Sequence, residues 1–88
     1  MNRADFQAVV HMICCQAGGS VVSGHRSTKH NAAVGGHEKS LHLVGLAADI
    51  QVDVWETGRP LATYWADRLG VVALPDDEKL YIHLQPIR

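Results

Sequence analysis

Apolar positions along this chain change period from segment to segment, and each change marks an element. Between residues 3 and 17, Phe6, Val9, Val10 and Ile13 recur at three- and four-residue spacing, which predicts an amphipathic helix stopped by Gly18 and Gly19. Ser20 to Ser23 is a short strand candidate, and Ser27 suits the cap of a brief helix over residues 28–34 that ends at Gly35 and Gly36. From Gly45 to Val54 the period becomes two, with Leu46, Ala48, Ile50, Val52 and Val54 on one face and Ala47, Asp49, Gln51 and Asp53 on the other. Pro60 suits the first turn of a further helix that continues through Leu61 to Leu69 and stops at Gly70. Val71 to Leu74 reads as a strand, and Pro75, Asp76, Asp77 and Glu78 as a polar turn. The last strand alternates again, with Leu80, Ile82 and Leu84 toward the core and Lys79, Tyr81, His83 and Gln85 opposite.

These elements predict one small α+β domain over residues 1–88, a small antiparallel sheet with helices packed on one face. Two separate alternations put Asp49 and His83 on the non-core faces of their strands, a placement compatible with two side chains converging on one open site. At 88 residues the chain is near the lower size at which an apolar core is stable alone, so a bound metal would help. With two Trp, two Tyr and one Phe, the core must come largely from Val, Leu, Ile and Ala.

Charge and cysteine usage narrow the function classes. The formal net charge is −1 and no Lys/Arg run forms an electrostatic footprint, so nucleic acid is not an expected partner. No segment approaches the roughly 20 apolar residues that span a bilayer, and the N-terminal stretch, interrupted by Asp5 and His11, reads as a helix and not a signal peptide. Cys14 and Cys15 are adjacent; a bridge between them would strain the backbone and close no useful loop, so both are expected as thiols. His11 and Cys15 share a helix face at i and i+4, but nothing nearby supplies further metal ligands.

The segment that most narrows the chemistry is SLHLVGLAAD, residues 40–49. His42 and Asp49 look like half of a zinc site, because imidazole nitrogen and carboxylate oxygen both suit Zn²⁺, and a catalytic zinc usually takes three protein ligands. His83, in KLYIHLQ, is the obvious third. Gly45 lets the backbone turn, and Ala47 and Ala48 keep bulk away. Together with SGHRS at residues 23–27 and HNAAVGG at residues 30–36, the pattern resembles the zinc D-alanyl-D-alanine carboxypeptidases and related peptidoglycan endopeptidases, whose fold is shared with the Hedgehog signalling domain. The resemblance runs from about Val21 to Leu84. It implies that His42, Asp49 and His83 hold zinc, that Arg26 contacts substrate or developing negative charge, and that Ser40 orients the site. The implied activity is hydrolysis of peptide bonds in peptidoglycan stem peptides, by a monomer with no membrane insertion.

The acid/base departs from the family's pattern. Several branches place an acid three residues before the last zinc histidine, or a histidine two before it; here those positions hold Leu80 and Tyr81. Glu78 is the nearest glutamate, but strict alternation points it to the core side, so reaching the site requires the turn to reorient it. Tyr81 shares a face with His83 and suits hydrogen-bond donation to an oxyanion. His25 and His37 are further proton-shuttle candidates, each equally a solvent-facing loop residue. The rival expectation is a zinc-containing cell-wall binding module that has lost its base, to which Gln85 adds weight because relatives often carry an acid there; a third is a metal-free structural subunit of a phage particle. Without a leader, the expected product is cytoplasmic as synthesised and reaches the wall by release or delivery, as a phage lysis or tail protein would.

Overall fold

The computed structural model describes residues 1–23 and 45–87. Helix α1, Arg3–Ala17, starts where Asn2 caps it, its side-chain oxygen accepting the Asp5 N–H at 2.8 Å. It buries Phe6, Val10, Ile13, Cys14 and Ala17 as one stripe, and ends at Gly18 in the left-handed region, φ 69°, whose N–H donates to the Cys14 carbonyl. The chain then enters strand β1, Gly19–Ser23, with no room for a side chain at its first residue: a Cβ on Gly19 would lie 2.6 Å from the Gln51 carbonyl oxygen.

Strand β2, Ala48–Val52, is followed by helix α2, Trp55–Leu69, strand β3, Val71–Asp76, and strand β4, Tyr81–Pro86. All neighbours in the sheet are antiparallel, in the order β1-β2-β4-β3, so β4 returns to the centre beside β2 and leaves β3 on an edge. Both helices cover one face, where Phe6, Val10, Ile13, Ala62 and Ala66 pack with Ala48, Ile50, Val71, Ile82 and Leu84. The fold is thus the small α+β arrangement expected. No helix among the described residues is long and apolar enough to cross a membrane. Both cysteines are free thiols, Cys14 buried and Cys15 exposed, as their adjacency required.

Five local expectations are corrected. The alternating segment is shorter than 45–54: Ala47 is buried at 2% exposure because the backbone before β2 is irregular, with Gly45 at φ 72°, and Val54 is exposed at the head of α2. Helix α2 begins at Trp55, not at Pro60, which sits inside it. Pro60 stands in the second turn of the helix, where its missing N–H forfeits the bond to the Glu56 carbonyl. Gly58 belongs to the helix for a packing reason, since a Cβ there would meet the Val52 Cβ at 2.5 Å.

Strand β3 runs on through Pro75 and Asp76, which an edge position allows because the absent N–H would face outward. The turn is therefore Asp77 to Leu80, organised by Asp76, whose Oδ1 accepts the N–H groups of Glu78 at 3.1 Å and Lys79 at 2.9 Å. Leu80 is not a core residue: it takes φ 59°, donates its N–H to the Asp76 carbonyl at 2.8 Å and is exposed. Alternation on β4 starts only at Tyr81, so the core-side direction expected for Glu78 does not hold, and Glu78 is an exposed turn residue.

Candidate metal centre

β2 and β4 present their apolar phase, Ala48 and Ile50 against Leu84 and Ile82, to the helices. The residues between them face the other way, and register sets Asp49 directly opposite His83. Directly paired residues hold their Cβ atoms about 5 Å apart, close enough for an imidazole and a carboxylate to meet. They do: His83 Nδ1 lies 2.9 Å from Asp49 Oδ1, with side chains 24% and 16% exposed. The other ring nitrogen, Nε2, lies 3.0 Å from Oε1 of Gln85, two residues along the same strand.

Donor accounting makes this arrangement informative. An ionised carboxylate only accepts, and so does an amide oxygen, whereas a neutral imidazole carries a single N–H. With both ring nitrogens facing acceptor oxygens, a neutral ring donates to only one of them, and either protonation of the ring or a cation between Nδ1 and Oδ1 satisfies the other. Tetrahedral ligands at zinc distances stand roughly 3.3 Å apart. The 2.9 Å pair would need to open by only a few tenths of an ångström, so Nδ1 and Oδ1 fit two positions of such a site. Among the described residues no cluster of three or more His, Cys, Asp or Glu could hold a metal; His42, the third expected ligand, lies outside them. Arg26, Ser40, His25 and His37 also lie outside the described residues.

Of the acid/base candidates, Tyr81 is half-buried on β4 in the same phase as His83, opposite Asp76 of β3. Glu78 occupies the exposed hairpin turn, and the hydrogen bond that places it is made by its backbone N–H. Asp77 serves the fold: its Oδ1 accepts from Trp55 Nε1 at 3.2 Å and lies 2.9 Å from Arg59 Nε, tying the turn to α2. Sequence reasoning missed the contact of Gln85 with His83, although the period-2 pattern already placed both on one face.

A cavity of about 510 Å³ lies between α1 and the β1–β2 side, lined by residues including Phe6, Val10, His11, Cys14 and Cys15. His11 Nε2 and Cys15 Sγ approach to 3.7 Å there. Neither Asp49 nor His83 lines it, and among the described residues its lining brings no carboxylate. Burial, and secondarily the neighbouring Cys15, push the Cys14 thiol up from its ordinary pKa, which makes it an inert packing group.

Comparison with known families shows that the model of a family described as Peptidase M15 matches residues 15–84. No curated protein matches the chain.

Proposed function

The chain belongs to the Peptidase M15 family, and from that premise we propose that it is a zinc metallopeptidase hydrolysing peptide bonds in peptidoglycan stem peptides, of the D-Ala-D-Ala carboxypeptidase or L,D-endopeptidase type. The observation that carries this reading is the register pairing of Asp49 with His83, which brings two zinc-type donors to 2.9 Å on the open face of the sheet. His42, Asp49 and His83 are the residues that would hold the metal. Zinc bound there supplies Lewis-acid polarisation of the scissile carbonyl and a water acidic enough to attack near neutral pH.

The remaining work falls to this chain's own side chains. Arg26 clamps the terminal carboxylate of the stem peptide or offsets the negative charge that grows on the carbonyl oxygen, as a permanently charged planar fork does. Ser40 orients the site by hydrogen bonding. Tyr81 donates a hydrogen bond to the oxyanion, and Glu78, the nearest glutamate, would take the proton of the attacking water and pass it to the leaving amine once the exposed 77–80 turn swings it toward the site. The protein acts as a monomer.

One observation favours a second reading, a catalytically impaired wall-binding module. Leu80 and Tyr81 stand at the positions where the resemblance leads one to expect, in several branches, an acid or a histidine, and Glu78 lies in an exposed turn. Zinc content by elemental analysis, run beside hydrolysis of purified peptidoglycan by wild type and His42→Ala, separates the two. Near one zinc per chain, with product release lost in the variant, is the expected result. Stoichiometric zinc with no hydrolysis selects the binding module, and absence of zinc after metal-replete expression overturns the site.

A further inference from the structure

We propose that Gln85 is a positioning residue that selects the tautomer of His83 for metal ligation, an inference that rests on the metal-site reading above. Gln85 follows His83 at the two-residue spacing that keeps both on one face of β4, and its Oε1 lies 3.0 Å from Nε2. With the amide oxygen accepting, the ring carries its hydrogen on Nε2 and leaves the Nδ1 lone pair directed toward the side of the ring where Asp49 Oδ1 lies. Those are the two atoms from which a metal would be held. The other ring nitrogen of a ligating histidine commonly donates to an oxygen of this kind, and loss of the acceptor costs about 10–100-fold in metal affinity.

An amide does this work without adding charge. It fixes ring orientation and tautomer while leaving the ligand charge to Asp49, so a glutamine here is a working replacement for an acid and not a sign of decay. Gln85 is half-buried near the end of β4, beyond the fully buried Ile82 and Leu84, so its substitution spares the core.

The test measures zinc affinity by chelator competition for the full chain as wild type, Gln85→Leu and Gln85→Glu, with the thermal midpoint of each metal-free protein as the folding control. Long-range ¹H–¹⁵N NMR of the imidazole nitrogens in the zinc-loaded wild type reads which nitrogen keeps its hydrogen. Expected are a hydrogen on Nε2 of His83, zinc affinity about 10–100-fold weaker in Gln85→Leu, wild-type or tighter affinity in Gln85→Glu, and similar metal-free midpoints. If Gln85→Leu does not fold, the same comparison is made with Gln85→Ala. Undiminished zinc affinity in the variant without an acceptor, or zinc on Nε2, overturns the role of Gln85 while leaving the metal site standing. A wild type that binds no zinc overturns both, and is thereby distinguished.

Discussion

The two faces of the β2–β4 pair are built from the same ten or so residues of backbone register and do opposite jobs. Toward the helices stand Ala48, Ile50, Ile82 and Leu84, all buried, with the last three at 0% exposure. Toward the side away from the helices stand Asp49, His83 and Gln85, partly exposed, with His83 Nδ1 2.9 Å from Asp49 Oδ1 and Nε2 3.0 Å from Gln85 Oε1. One residue of offset along a strand therefore separates a side chain whose value is volume from one whose value is its lone pairs. The division sets the residues that build the core apart from those proposed to hold the metal, with the strand that carries both as the link between them.

His83→Ala is the strongest test of that separation. On the open face it is expected to abolish hydrolysis of purified peptidoglycan and stoichiometric zinc binding while the metal-free protein keeps its circular dichroism and thermal midpoint. A large loss of metal-free stability would break the division between faces. Ile82→Ala is the mirror experiment. It removes three buried carbons from a fully enclosed site and is expected to cost about 2–5 kcal/mol in denaturant unfolding, with activity per folded molecule preserved at low temperature.

Gly58→Ala sharpens the comparison from behind. Alanine gains about 1 kcal/mol of helix propensity over glycine. The added methyl would meet Val52 on β2 at 2.5 Å, and overpacking of that kind costs about 1–3 kcal/mol. The steric term wins, so a net loss of stability is expected by urea titration; a gain would show that α2 is free to lift from β2. The smallest effect expected is that of Asn2→Ala, which removes the α1 cap and costs about 1 kcal/mol, read as a lowered thermal midpoint with zinc affinity unchanged.

How much of this was legible in the sequence depended on whether local pattern or tertiary contact decided each residue. The alternation at Ile50 and at Ile82 and Leu84 read correctly because a buried face leaves no other register. The start of α2 did not, since Gly58 and Pro60 look like breakers until the close approach of Val52 explains the glycine. Leu80 misled because an apolar residue next to an alternating strand invites extension of the pattern. The Asp76 side chain instead folds the preceding residues into a turn that ends in the left-handed region. At the candidate site, the facing of Asp49 and His83 was legible as a phase, whereas their direct pairing was not, because register between strands 34 residues apart is absent from either strand's own sequence. The roles of Arg26, Ser40 and His42 rest on motif resemblance, as these residues lie outside those described.

The return of β4 to the middle of the sheet also orders events in time. Asp49 and His83 meet only when the chain has closed a 34-residue separation that contains the whole of α2 and β3. Such non-local pairing is slow relative to helix or hairpin formation, since chain entropy is surrendered before any contact repays it. The α1 helix and the β3–β4 hairpin can each form while the two donors are still far apart. A nascent or damaged chain therefore offers no Asp49–His83 pair for a cation to capture, and whatever chemistry the open face performs is withheld until folding is finished.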